Sequence, residues 1–234
     1  MWLDRTELML GSENLEKLKN ARVAVLGLGG VGGSAAEALV RAGIGHLLFA
    51  DSDSISETNL NRQLLATAET VGMDKVTAAE SRFHSIDPGG DFTFVKEFYL
   101  PENSAWLYSW KPDYVIDAID TVTAKLDLAK RCKELGIELF MCLGTGNRLN
   151  PEALRMGDIS ETAGCGCPLA KVMRHELKKL GIEHQRVLFS TEEPAKAVVP
   201  ESEAGRHAPG SISFVPPVAG YILAAECVKR IIEV

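Results

Sequence analysis

Residues 22–32 read Arg22-Val23-Ala24-Val25-Leu26-Gly27-Leu28-Gly29-Gly30-Val31-Gly32. The apolar run 23–26 is long enough for one buried strand, and the glycines after it permit a tight turn. Residues 31–42 then carry apolar side chains at helical spacing, so the turn leads from a strand into a helix. Backbone N–H groups in such a turn can approach a phosphate, and the helix N-terminus adds positive potential. Asp51 closes the next apolar run, 46–50, where an acid receives ribose hydroxyls. Strand, glycines, helix and acid in register predict a nucleotide site, with Gly27, Gly29, Gly30 and Gly32 near the phosphates and Asp51 at the sugar. The glycines alone leave NAD and ATP both open.

Outward from this stretch the alternation continues. Apolar runs at 92–95, 114–119 and 139–143 are separated by helix-like stretches at 75–85 and 123–135. The order predicts an α/β, Rossmann-like fold: a mostly parallel sheet with helices on both faces, plus a smaller C-terminal extension. Ligands of such sheets bind outside the carboxyl ends of the strands. After Thr145 the pattern changes. A loop through Asn150 and Pro151 leads to a Cys- and Gly-containing cluster at 164–168, then to an amphipathic helix over 168–180 and a strand at 187–190. The segment 192–210, rich in Pro, Ala, Glu and Gly, reads as a mobile loop. The tail 216–234 reads as a packed helix with Pro217 in its first turn.

The 234 residues are 46% apolar and 24% charged, the balance of a globular enzyme rather than a disordered chain. A net charge of −7 speaks against nonspecific coating of nucleic acid but leaves a local basic patch open. Asp4, Arg5 and Glu7 interrupt any apolar leader, and the apolar run 218–225 is far short of a membrane span. Five cysteines without a regular framework fit a reducing compartment. The expectation is a cytoplasmic protein with no membrane association.

Past the glycines the chain resembles the ubiquitin-activating-type superfamily, which includes bacterial sulfur-carrier adenylyltransferases. The matching pieces are Gly27 to Gly32, Asp51-Ser52-Asp53, Asn59-Leu60-Asn61-Arg62-Gln63, Gly72-Met73-Asp74-Lys75 and Asp117-Ala118-Ile119-Asp120. The resemblance implies ATP and Mg2+ as cofactors, with Asp51 on the ribose, Asn59, Arg62 and Lys75 on the phosphates, and Asp120 near the metal. Asp53 and Asn61, within the same motifs, join the nucleotide contacts. The chemistry agrees, because adenylylation expels pyrophosphate, and the growing charge must be met by fixed cations and a carboxylate-held metal. Arg5 resembles an N-terminal arginine that reaches the phosphates of a neighbouring subunit, which implies a homodimer. Its alternative is a frayed terminus.

Two Cys-x-x-Cys pairs usually mark the sulfur-carrier branch, and this chain offers only Cys165-Gly166-Cys167 there. A second branch, the tRNA threonylcarbamoyladenosine dehydratases, resembles nearly the whole length. It adds Arg5-Thr6-Glu7-Leu8, Gly144-Thr145-Gly146-Asn147-Arg148, Asp158-Ile159, the run from Cys167 to Arg174, Phe189-Ser190-Thr191-Glu192, and Gly210 to Pro216. That branch implies a ligase-like enzyme that adenylylates a carboxylate on tRNA and closes a ring with loss of water. It divides the domain into a nucleotide-binding adenylylation region, 1–145, and an extension for substrate binding and dimerisation, 146–234. The alternatives are an activator of a ubiquitin-like sulfur carrier, which would bring a sulfur-transfer protein as partner, and a nucleotide-sensing protein without turnover. Lys171, Arg174 and Lys178, with His175 beside them, recur at helical spacing as a stripe that either meets RNA phosphates or is a solvated face. Cys167, ahead of Pro168, is either a reactive thiol at a helix start or a small residue in a turn.

Overall fold

Two short helices, α1 (Asp4–Leu10) and α2 (Ser12–Asn20), precede the first strand in the computed structural model, which describes residues 2–196 and 209–233. Then β1 (Arg22–Leu26), α3 (Gly32–Ala42) and β2 (His46–Ala50) form the first crossover. They are followed by α4 (Lys75–Ile86), β3 (Asp91–Val95), α5 (Ala105–Trp110), β4 (Tyr114–Asp117), α6 (Val122–Leu135) and β5 (Glu138–Cys142). The C-terminal part adds β6 (Leu154–Asp158), α7 (Pro168–Lys179), β7 (Arg186–Ser190) and α8 (Val215–Ile231). The strands lie in the order β3-β2-β1-β4-β5-β7-β6. All neighbours are parallel except β6, which runs antiparallel to β7 at one edge.

The sheet is buried on both faces, as parallel sheets require. Val23 and Val25 of β1 join Leu47, Phe49, Ile116 and Phe140 in one core, covered by α3, α4 and α8. Ala24 and Leu26 point the other way, with Leu48, Val115, Leu139 and Met141, under α5, α6 and α7. This period-two alternation fixes the register, since a one-residue slip would exchange the two faces. Burying a side chain such as Phe49 or Phe140 contributes about 1.5–3 kcal/mol.

The expected doubly wound architecture is present, with three differences in detail. The strand expected at 114–119 ends at Asp117. The antiparallel strand β6 was not foreseen: Arg155, Gly157 and Asp158 interrupt any apolar run, and its burial is partial, as on an edge. The expected C-terminal helix begins at Val215, with Pro216 and Pro217 in its first turn. Of the loop expected at 192–210, residues 197–208 lie outside the described residues.

Candidate functional site

From β1 the chain crosses to β2 on one side, and β4 pairs with β1 on the other. A crevice therefore opens above the carboxyl ends of β1 and β4, the switch point of the sheet. The glycine turn leaves β1 here and residues 118–121 leave β4. Gly27 has φ +88°, donates its N–H to the Ala50 carbonyl at 2.8 Å, and leaves only 2.7 Å between a hypothetical Cβ and the Ala118 oxygen. A Cβ at Gly32 would collide with the Gly27 carbonyl. Only glycine satisfies both places, one for its dihedral and the other for its packing.

Asp51 follows β2 and is almost buried. Its Oδ2 accepts the Leu28 N–H at 2.6 Å and its Oδ1 accepts the Asp53 N–H at 2.8 Å, so this acid braces the glycine turn. Lys75, the first residue of α4, is 6% exposed. Its Nζ donates to Asp53 Oδ2 at 2.9 Å and stands 3.4 Å from Asp51 Oδ2. A backbone bridge between residues 54 and 74 holds the lysine at the rim. Next to it, the Lys96 ammonium and the Ser54 hydroxyl on Asp74 hold that carboxyl below its ordinary range.

On the other side of the turn, Arg62 stands against the glycines from a loop that also carries Asn59 and Asn61. Asn59 Oδ1 accepts the Ser56 N–H at 3.1 Å, closing a 3-10 turn at Glu57–Asn59. Arg62 Nη1 donates to the Thr58 carbonyl and to Asn61 Oδ1, each at 2.9 Å. Asn61 Nδ2 reaches the Ser211 carbonyl at 3.1 Å, tying this loop to the approach to α8. Arg62 abuts the glycine turn, since a Cβ at Gly30 would lie 3.1 Å from the Arg62 carbonyl and 3.5 Å from its Cγ. Gln63, part of a recognised motif but given no role from sequence, is 8% exposed beside Gly29, and its Oε1 has no partner among the described residues.

The largest correction concerns the acids after β4. Asp120 was expected at a strand end; the strand ends at Asp117, and Asp120 is exposed in the loop before α6. The cause is Lys125, fully buried on α6, whose Nζ sits 3.0 Å from both Asp117 oxygens and donates to the Cys142 carbonyl at 2.7 Å. Asp117 Oδ1 also accepts the Ile119 N–H at 3.2 Å, which turns the chain out of the strand. Burial pushes the Asp117 carboxyl up, and Lys125 pulls against that shift. Burial also pushes the Cys142 thiol up to about 12. Sequence reasoning passed over Lys125, although it shares a helical stripe with Ala124, Leu128, Ala129 and Cys132, where a charge is out of place.

The remaining expected residues lie away from the crevice. Arg5 is exposed on α1, and Leu3 just before it packs on Gly43 at the C-terminal end of α3. The glycine turn is at the other end of that helix, about 16 Å away for 11 residues. Arg5 therefore does not reach the crevice of its own chain, and it lies on a helix rather than a frayed end. In the basic stripe Lys171 and Lys178 are exposed, but Arg174 is not a free member. Its Nη1 donates to the Thr162 carbonyl at 2.8 Å and hydroxyl at 2.7 Å, which turns its head group back onto the preceding 3-10 turn. Cys167 is the N-cap of α7, accepting the Ala170 N–H at 3.4 Å, and is the only one of the five cysteines not buried.

The loop after β5 faces this N-cap. Arg148, nearly buried, donates Nη2 to the Cys165 carbonyl at 2.9 Å. Asn147, at φ +56°, accepts the Ala195 N–H at 2.8 Å, donates its own N–H to the Gly210 carbonyl at 2.8 Å, and accepts the Gly210 N–H on Oδ1 at 2.7 Å.

Comparison with known proteins bears on this arrangement. The ThiF family pattern matches residues 3–234. The tRNA threonylcarbamoyladenosine dehydratase of Bacillus subtilis is 40% identical over 240 residues, covering 98% of this chain and 94% of that protein. The crystal structure of Escherichia coli tRNA N6-threonylcarbamoyladenosine dehydratase in complex with AMP superposes with a TM-score of 0.88 at 32% identity, covering 98% of this chain and 93% of the other. The same enzyme in complex with ATP gives 0.87 at 31% identity, with the same coverage.

Proposed function

The chain belongs to the ThiF family, and from that membership we propose that it is an ATP-dependent, ligase-like tRNA threonylcarbamoyladenosine dehydratase. The observation that carries the reading is the glycine turn braced by Asp51 and Lys75 with Arg62 packed against it, in a chain whose fold matches a dehydratase along nearly its full length. ATP occupies the crevice with its ribose toward Asp51 and its phosphates along the N–H groups of the glycine turn. Asn59, Asp53 and Asn61 shape the rim. The substrate carboxylate attacks the α-phosphorus, and pyrophosphate leaves with its charge met by Arg62 and Lys75. A nitrogen of the same modified side chain then attacks the acyl carbon, expels AMP and closes the ring. Both reacting groups belong to one substrate, so proximity lowers the barrier.

Asp120 fits Mg2+. It is an exposed hard oxygen donor at the crevice, and Mg2+ is commonly held by one or two carboxylates together with substrate phosphates. When bound, the ion would supply charge neutralisation at the phosphates. The assembly is a homodimer in which Arg5 serves the other subunit's crevice. The exposed Leu8 and Met9 of α1, 87% and 84% accessible, support that reading, since adjacent apolar exposure of this kind favours a partner surface. Lys171 and Lys178, with exposed His175, offer tRNA phosphates an exposed face of α7. If the chain also receives sulfur from a transfer protein, Cys167 is the thiol that protein would address. No helix among the described residues is long and apolar enough to cross a membrane.

The test is mass analysis of nucleosides from tRNA bearing threonylcarbamoyladenosine after incubation with the protein and ATP. Loss of one water from the modified nucleoside, with AMP and pyrophosphate released, is the expected result. An unchanged nucleoside alongside adenylylation of a Gly-Gly-ended carrier peptide would replace this reading.

A further inference from the structure

We propose that Lys125, acting through Asp117, is a positioning residue that sets where the loop carrying Asp120 stands against the glycine turn. Lys125 grips that loop in two ways. Its side chain neutralises Asp117 at the start of the loop, and its backbone N–H takes the Thr121 carbonyl at the end, at 3.0 Å. Its third side-chain bond, to the Cys142 carbonyl, adds the end of β5. One buried ammonium thus joins the ends of β4 and β5 to the first turn of α6. On the far side, the Ala118 N–H donates to the Leu26 carbonyl at 2.9 Å, and the Ala118 oxygen lies directly against Gly27. The residues before Asp120 are therefore clamped between the phosphate turn and the lysine.

Packing alone does not call for this charge. A buried ion pair is often replaceable by apolar side chains of the same volume without loss of stability. Here both partners are completely buried, within a stripe of apolar residues that would accept a methionine. The pair supplies direction. A bidentate contact fixes the Asp117 carboxylate plane, and Asp117 Oδ1 in turn fixes the Ile119 N–H one residue before Asp120. A related carboxylate–lysine pair stands at the end of β2, where Asp51 Oδ1 accepts the Asp53 N–H two residues on and Lys75 approaches Oδ2. The Asp117–Lys125 pair differs in being completely buried on both sides.

This inference rests on the adenylylation reading, because the placement of Asp120 bears on turnover only if that acid serves the reaction. Lys125→Met alone strands a buried carboxylate and can unfold the chain, so the deciding variant is the neutral pair D117N/K125M. Three measurements are made on the full-length protein: amide exchange at Ile119 against Val25 in β1, ATP affinity by calorimetry, and the rate of adenylate formation per folded molecule. The expected result is faster exchange at Ile119 with Val25 unchanged, ATP affinity retained, and a rate lower by about 10²-fold, the size of effect that a misplaced group produces. Ile119 exchange and rate both equal to the parent would overturn the proposal. So would exchange, affinity and rate all failing together with the melting temperature, which is the pattern of a merely structural pair. If the parent forms no adenylate, the functional reading fails on its own, and the exchange at Ile119 still decides whether Lys125 holds the loop.

Discussion

Asp117 and Asp120 stand three residues apart in one motif and have opposite surroundings, one sealed against an ammonium and the other exposed. That contrast makes Asp120 a residue that can be removed without disturbing the core. Asp120→Ala is expected to lower adenylate formation by about 10²–10³-fold while leaving stability within about 0.5 kcal/mol. Arg62→Ala should lose turnover more than ATP affinity, because its contact strengthens as pyrophosphate departs. Pyrophosphate exchange and calorimetry on folded variants check both, and unchanged turnover in either one removes that residue from the mechanism. At this scale the glycines and Asp51 stood out from local context, a turn between strand and helix and an acid at a strand end, whereas Lys75 and Arg62 stood out only through the resemblance to the superfamily's ordered motifs. Lys125 carried a signal, its place in an apolar stripe, but its role was not legible. A lysine on an amphipathic helix reads as solvated, and its partners at 117 and 142 become neighbours only when the strand ends meet. Arg174 misled for the mirror reason, since its spacing placed it on an exposed stripe while its head group turns back to Thr162.

Between elements, the tie most open to test joins α3 to α4. Glu37, 4% exposed, bonds Arg41 at 2.8 Å on its own helix and Arg82 at 2.5 Å across the interface. Burial alone would raise its carboxyl, but the two guanidinium groups outweigh that and hold it below the ordinary 4.5. A carboxyl depressed on folding contributes stability above its unfolded pKa and loses it as pH falls through the folded value. Glu37→Gln is therefore expected to cost about 1 kcal/mol near neutrality, discounted because both arginines are partly solvated, or about 2–4 °C in Tm. Below pH 4.5 the deficit should shrink as the parent's own Glu37 protonates. Melting curves from pH 3 to 7 measure it, and a deficit constant across that range would show that charge is not the cause. The helices and central strands were readable from sequence because full burial on both faces writes continuous apolar runs. The edge strand β6 was not, because it borrows its order from β7 through backbone pairing rather than from its own side chains.

For the whole molecule, the distance of Arg5 from its own crevice has a direct consequence in a homodimer. Arg5→Ala and Asp120→Ala chains, each inactive alone, should recover activity when mixed, because the hybrid contains one site built from Arg5 of one chain and Asp120 of the other. Subunit exchange proven by mass spectrometry with no recovered activity, or an active monomer, would refute the arrangement. The glycine-rich half of the molecule was legible as a whole, while the wiring of its C-terminal part depends on contacts far apart in sequence. Asn147 is the clearest of these, bonding both Ala195 and Gly210. Whatever chain joins residues 196 and 209 thus begins and ends on a single asparagine. The approach to α8 is thus moored at two places, to Asn147 through Gly210 and to Asn61 through the Ser211 carbonyl, so a change that shifts residues 209–211 would tug on the loop that carries Arg62 as well as on the turn after β5.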